Sequence, residues 1–149
     1  MIEIVEKKDC TGCYACVNIC PQQCISMEVD NEGFWYPKVD NENCVQCKLC
    51  IYCCPINQRA AVGEQFPDAY ACRNKDDEIR LGSSSGGVFY LLGRHALDNG
   101  GVVFGARFDS HFHIVHGWTE TEEGLLEFMG SKYVQSKIGD SYKHAEAFL

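Results

Sequence analysis

The sequence has no long apolar run and few basic residues, and both absences narrow the functions open to it. No stretch approaches the roughly 20 apolar residues that a membrane-spanning helix needs. The first residues, MIEIVEKKDC, lack the apolar segment and the small-residue cleavage site of a signal peptide. There are 13 lysines and arginines against 21 aspartates and glutamates, which gives a net charge of −8. Because an acidic surface repels phosphate groups, we expect no nucleic-acid partner and no membrane insertion.

Cysteine, in contrast, is abundant, with 11 in 149 residues. Without a secretion signal the expected compartment is a reducing cytoplasm, where many cysteines indicate metal or redox chemistry rather than disulfides. An odd number of cysteines is also unexplained by a pure disulfide framework. All but Cys72 lie between Cys10 and Cys54, so the metal or redox chemistry is expected in the first half of the chain.

Composition divides the chain into two parts. Residues 57–69, NQRAAVGEQFPDA, are polar, contain Gly63 and Pro67, and show no steady apolar period, which is typical of a linker. We therefore predict an α+β protein with a small metal-dependent domain at residues 1–60. A linker at residues 61–69 and a mixed α/β domain at residues 70–149 are predicted to follow.

Apolar patterning predicts the main elements of both parts. In the first, residues 25–39, ISMEVDNEGFWYPKV, alternate and contain turn residues, which predicts a β-hairpin that returns from Phe34, and IEIV at residues 2–5 predicts a further short strand. In the second, GGVFYLLGRHALDNG predicts a helix capped by the preceding serines, and GVVFGARF and HFHIVHGWTE predict strands. TETEEGLLEFMG and GDSYKHAEAFL predict two more helices.

The cysteines form two runs of identical spacing. Cys10, Cys13, Cys16 and Cys20 precede Pro21, and the same pattern recurs 34 residues later at Cys44, Cys47, Cys50 and Cys54 before Pro55. Structural zinc sites typically draw cysteines as separated pairs from two loops. Here a single loop carries three cysteines, with two residues between each cysteine and the next. This spacing favours a metal group larger than a single ion.

This C-x2-C-x2-C-x3-C-P run is a known ligand pattern, and residues 1–60 resemble two-cluster bacterial-type ferredoxins. The resemblance implies two 4Fe-4S clusters, a ferredoxin-like fold, and exchange of the fourth cysteine between the runs. Carried over by position, one cluster is held by Cys10, Cys13, Cys16 and Cys54, and the other by Cys44, Cys47, Cys50 and Cys20. The alternative is a local arrangement in which Cys20 completes the cluster of its own run.

Three cysteines remain outside the two runs. Cys24 stands where these ferredoxins usually have a small apolar residue, so we expect buried packing rather than ligation. Cys53 competes with Cys54 for the ligand role, and the spacing and the following proline favour Cys54. Cys72 is expected to be a small packed hydrophobe.

In the second part, LGSSSGGVF places small residues and hydroxyls at a helix start, where free N–H groups favour an anion, although a plain capped helix is the commoner outcome. Together with GSKYVQS, this stretch makes residues 70–149 similar to the N-terminal part of the coenzyme F420 hydrogenase/dehydrogenase β-subunit family. The resemblance implies a partial flavin-oxidoreductase-type domain with FAD, because family chains normally run well past this point. The residues implied to approach the cofactor are Ser84, Ser85, Gly86 and Gly87, with Lys132 neutralising a phosphate or flavin charge.

The expected function is an iron–sulfur electron-transfer protein that exchanges electrons with a flavin-dependent oxidoreductase domain. Redox proteins, and F420 or another hydride carrier, are the implied partners. The alternative is a simple ferredoxin-like carrier without catalysis of its own. For His111, His113 and His116 we expect exposed strand histidines, the first two on one face, rather than metal ligands. For Tyr133 a packed aromatic is favoured over a proton donor.

Overall fold

A computed structural model of the chain describes residues 1–2, 6–58 and 67–149. The chain divides into two compact units, Met1–Gln65 and Phe66–Leu149. Most of the strand predicted at residues 2–5 and most of the linker predicted at residues 61–69 lie outside the described residues. No helix within the described ranges is long and apolar enough to cross a membrane.

The first unit contains the predicted hairpin. Strand β1, Ile25–Val29, pairs antiparallel with β2, Trp35–Val39, with Ile25 opposite Val39. Asp30 shapes the turn, since its carboxylate accepts hydrogen bonds from the backbone N–H groups of Glu32 and Phe34. Phe34 therefore belongs to the turn, and β2 begins one residue later than predicted.

Each cysteine run contains one short helix, and the two runs share one backbone path. Helix α1, Ala15–Asn18, follows Tyr14 at φ 61°, and α2, Leu49–Tyr52, follows Lys48 at φ 66°. Both preceding residues take the left-handed conformation, which is unusual for residues other than glycine. A single-turn 3-10 helix, Lys7–Asp9, precedes the first run. The repeat in the sequence is thus also a repeat in the backbone.

The core of the first unit is small and rich in sulfur. Its buried members are Ile2, Cys24, Ile25 and Cys50, and the side chains packed against them include four further cysteines. These are Cys16, Cys20, Cys44 and Cys54. A unit of this size buries little apolar surface, so a bound metal group is a recognised substitute for a larger core.

The second unit consists of four helices and one antiparallel strand pair. In chain order these are α3, Asp77–Leu81; α4, Val88–Asp98; β3, Val103–Phe108; β4, Ile114–Thr119; α5, Glu122–Phe128; and α6, Ser141–Phe148. The predicted helices and strands are confirmed with shorter bounds. The cap of α4 differs from the prediction: Gly87, at φ 74°, occupies the N-cap, and no side chain caps this helix.

Helix α5 packs closely because two glycines face it. Leu125 is fully buried and Phe128 is nearly so. A Cβ atom at Gly93 in α4 would lie 2.5 Å from a Leu125 methyl carbon, and one at Gly105 in β3 would lie 2.8 Å from the Phe128 ring. The missing side chains thus let α5 approach both α4 and β3.

Several expectations about single side chains are wrong. His111 and His113 are exposed as expected, but they lie in the turn before β4, where the Asp109 carboxylate accepts hydrogen bonds from both of their backbone N–H groups. His116 does lie in β4, but it is half-buried rather than exposed. Tyr133 is 92% exposed rather than packed. Cys72 is also exposed, so it is not a core hydrophobe.

Candidate functional site

Two hollows in the first unit each bring together four cysteines at matching positions of the two runs. The first hollow takes three thiols from the first run and one from the second: Cys10, Cys13, Cys16 and Cys54. Most of its other lining is apolar and includes Ile2, Met27, Pro37 and Ile56. The second hollow takes three thiols from the second run and one from the first: Cys44, Cys47, Cys50 and Cys20. Each hollow therefore joins the two halves of the repeat.

The short helices explain this exchange. Each left-handed residue turns the chain into its helix just after the second cysteine of the loop, and the third cysteine sits on that helix. The helix then carries the fourth cysteine away from its own loop. As a result Cys20 meets the loop of the second run, and Cys54 meets the loop of the first run.

Two further cysteines lie beside these groups. Cys53 is not part of the described lining of either hollow, and its thiol lies 3.5 Å from the Cys50 carbonyl oxygen. Cys24 is buried in the core as expected, but it also lines the second hollow, and its sulfur lies 3.5 Å from that of Cys20. Sequence reasoning missed this fifth thiol, because the only signal was the short Cys20–Cys24 interval.

The environment of the thiols affects their ionisation. Burial, followed by the charges of Cys13 and Cys53, raises the pKa of Cys16 to about 12. Burial also raises the pKa of Cys10. For Cys20, burial opposes ionisation, but hydrogen bonds from Cys24 and the neighbouring backbone outweigh it and lower the pKa. Because metal binding requires thiolates, loading of the first hollow must displace protons from thiols that otherwise hold them.

The donor set fits an iron–sulfur cluster better than a single ion. Within residues 1–2, 6–58 and 67–149, no three His, Cys, Asp or Glu side chains are grouped closely enough to hold one metal ion. A zinc ion needs each sulfur at about 2.3 Å, whereas a four-iron cluster presents a separate iron to each of its four thiolates. Four cysteines around one largely apolar hollow match the second requirement.

The second unit holds a larger cavity, of about 260 Å³. It is lined by the serine–glycine loop before α4 and by the segment that follows α5, namely residues 83–89 and 128–131. The Ser84 hydroxyl accepts a 2.7 Å hydrogen bond from the backbone N–H of Ser131, which connects these two segments. Ser84, Ser85, Gly86 and Gly87 all belong to the lining. The two motifs that carry the second resemblance thus meet at one place.

Lys132 occupies a different position from the one expected of a cofactor ligand. Its ammonium group donates hydrogen bonds to the carbonyls of Glu127, Phe128 and Met129 at the end of α5, at 3.3, 3.0 and 2.7 Å. It is not among the residues that line the cavity. Burial lowers the pKa of Lys132. In this structure Lys132 acts as a C-terminal cap of α5.

Two hollows lined by cysteines from both runs indicate the class of site, an iron–sulfur centre. Residues 9–58 match the family of 4Fe-4S dicluster domains. Over 54 residues the chain is 37% identical to an uncharacterised ferredoxin of Methanocaldococcus jannaschii, covering 36% of this chain and 69% of that protein. Through this N-terminal part, the chain belongs to the two-cluster ferredoxin family.

Two other relatives are named as subunits of oxidoreductases. Subunit I 2 of an NADH-quinone oxidoreductase from Geobacter metallireducens is 33% identical over 63 residues, which are 39% of this chain and 48% of the relative. Subunit VorC of a ketoisovalerate oxidoreductase from Methanothermobacter marburgensis is 28% identical over 54 residues, 35% of this chain and 68% of the relative. The chain thus spans about half the length of the first and about two thirds of the second.

Proposed function

We propose that the chain carries electrons on two 4Fe-4S clusters whose fourth ligands are exchanged between the runs. The observation that supports this ligand set is the grouping of thiols around the two hollows. One set is Cys10, Cys13, Cys16 and Cys54, and the other is Cys44, Cys47, Cys50 and Cys20. When bound, each cluster takes up and releases one electron at a time.

The protein's own residues hold the clusters in place and keep water from them. Buried Ile2 and Ile25 and the half-buried Met27 and Pro37 form apolar walls around the two hollows. A drier site strengthens every electrostatic interaction between cluster and protein, and such surroundings are among the factors that set the reduction potential.

Iron analysis tests this proposal directly. We expect anaerobically purified protein to contain about eight irons and about eight acid-labile sulfides per chain, since each of the two clusters carries four of each. Reduction should produce the paramagnetic signals of two clusters. One zinc and no sulfide would refute the proposal.

The second unit supports a further proposal, that the clusters exchange electrons with a flavin held by residues 70–149, as in the F420 hydrogenase/dehydrogenase β-subunit type. The supporting observation is the cavity at the N-terminus of α4, whose lining includes Ser84, Ser85, Gly86 and Gly87. A helix N-terminus favours an anion such as a cofactor phosphate. Gly86 approaches the Cys72 carbonyl so closely that a Cβ atom would lie 2.5 Å from its oxygen. Lys132 could neutralise a phosphate or flavin charge only after its ammonium group gave up its hydrogen bonds to the three carbonyls at the end of α5.

Flavin binding separates this proposal from that of a simple carrier. We expect the purified full chain to bind FAD. Denaturation should release the flavin, whose absorption spectrum then identifies it. Replacing Gly86 by valine should abolish flavin binding, because the added side chain meets the Cys72 carbonyl. Gly82→Ala is the control, because Gly82 lies just before the cavity lining and a Cβ atom there meets no atom closer than 3.4 Å. Full iron content without flavin, even after incubation with FAD, favours the simple ferredoxin-like carrier.

The partners follow from the same chemistry. We propose an oxidoreductase subunit as the redox partner, by analogy with the names of two relatives, and F420 or another hydride carrier as the substrate on the flavin side. The domain division at residues 1–60, 61–69 and 70–149 and a cytoplasmic location are part of the same proposal.

A further inference from the structure

One buried polar group in the first hollow is left unexplained by the ligand set. Tyr14 lies between Cys13 and Cys16, is only 5% exposed, and lines the hollow beside them. Its hydroxyl oxygen is fully buried and has no hydrogen-bond partner among the residues that the structure describes. Buried tyrosine hydroxyls usually have a partner, and a buried hydroxyl without one costs about 1–3 kcal/mol.

The backbone places this side chain firmly. Tyr14 adopts φ 61° as the residue before α1, and its ring packs against Trp35 with the ring centres 6.4 Å apart. A bulky residue in the left-handed region is strained, and such strain is found where a functional site requires it. The ring is therefore held in the lining of the first hollow, and its hydroxyl is shielded from solvent.

The second hollow has a different residue at the matching position, and that residue also belongs to its lining. The residue 34 positions later is Lys48, which shares the left-handed conformation at φ 66° but is exposed. The two sites thus share four thiols at matching positions and the same backbone path, although Cys24 also lines the second hollow. At the position of Tyr14, the first site has a buried hydroxyl and the second has an exposed ammonium group.

We infer that the Tyr14 hydroxyl donates a hydrogen bond to a sulfur of the cluster in the first hollow and raises the reduction potential of that cluster above its value without the bond. The inference rests on the proposed ligand set. Reduction adds one electron, and therefore negative charge, to the cluster. A donor to sulfur stabilises the reduced form more than the oxidised one, and hydrogen bonds to the sulfurs are one of the factors that set cluster potentials.

Replacement of Tyr14 by phenylalanine tests this inference, because it removes the hydroxyl and keeps the ring. We expect iron content to remain at about eight per chain, while the potential of the first cluster becomes more negative. A tenfold change in its reduction equilibrium corresponds to about 59 mV for one electron. The second cluster should keep its potential. Redox titration followed by electron paramagnetic resonance measures both, with the signals assigned from variants that lose one cluster each.

Tyr52→Phe is the matched control, since Tyr52 is 65% exposed and lies in the second run; it should change neither potential. Exchange into deuterated water adds an independent measurement. The proton of a hydroxyl bonded to the reduced cluster has a hyperfine coupling to the unpaired electron, and its signal should disappear in deuterated water and also in Tyr14→Phe. Unchanged potentials and an unchanged proton signal at full iron content would overturn the inference about Tyr14 alone. Absence of iron from the parent protein would instead refute the ligand set.

Discussion

Replacement of Cys20 by alanine is expected to damage the cluster that is bound mainly by the other run. In the structure Cys20 lines the hollow of Cys44, Cys47 and Cys50, although it lies closer in sequence to Cys16. The variant should lose the signal of the second cluster and up to about four of the about eight irons. Conversely, Cys54→Ala should damage the cluster whose other ligands belong to the first run.

Reference variants identify which cluster is affected. Cys13→Ala removes a ligand that lies in the loop of the first site, and Cys47→Ala removes its counterpart in the second. The paramagnetic spectrum of reduced Cys20→Ala should therefore match that of Cys47→Ala, and the spectrum of Cys54→Ala should match that of Cys13→Ala. If Cys20→Ala instead matches Cys13→Ala, each run binds its own cluster and the exchanged arrangement is wrong.

Neighbouring cysteines provide the controls. Cys53→Ala should keep both clusters, because Cys53 is not part of the described lining of either hollow. Cys24→Ala should also keep both, but its sulfur lies only 3.5 Å from that of Cys20. The double variant Cys20→Ala, Cys24→Ala removes this nearby thiol too, and it should show the complete loss of the second cluster. Loss of a cluster in Cys53→Ala but not in Cys54→Ala would mean that Cys53, rather than Cys54, is the ligand.

Removal of the clusters is expected to unfold the first unit and leave the second unit folded. The core of the first unit consists of a few buried side chains, several of them cysteines, and its only described sheet has two strands. Structural zinc sites supply about 10–16 kcal/mol to small domains, which is comparable to the total stability of about 5–15 kcal/mol that is typical of a folded protein. We expect the two clusters to contribute at least as much to the stability of the first unit.

Hydrogen exchange on the full chain measures this effect. Iron is removed anaerobically with a chelator and a mild oxidant, and a thiol reductant then prevents disulfides. Amides of β1 and β2 should lose their protection, while those of β3 and β4 in the same sample should keep theirs and serve as the internal control. Reconstitution with iron and sulfide should restore protection to β1 and β2. Protection of β1 and β2 that survives complete loss of iron would show that the unit folds without its clusters.

Some features could not be read from periodicity because they depend on tertiary contacts. The apolar pattern predicted α4, but the serines before it suggested a side-chain cap, whereas Gly87 occupies that position. The packing of the Gly86 backbone against Cys72 and Asn74 fixes the backbone path that leads into α4. Likewise His111 and His113 appeared to belong to a strand, yet the carboxylate of Asp109 draws their backbone into a turn.

The sequence by itself determined the class of chemistry in the first unit. Three cysteines at two-residue intervals curve one loop around a common centre, and this local geometry depends only on backbone dimensions and spacing. The structure places Cys20 and Cys54 at the hollow of the other run, which is the arrangement that the resemblance implies. Only the tertiary structure showed that Cys24 lies beside Cys20 and that the Tyr14 hydroxyl is buried. These two features depend on how side chains from different parts of the chain pack together, and the spacing of the cysteines contains no information about that packing.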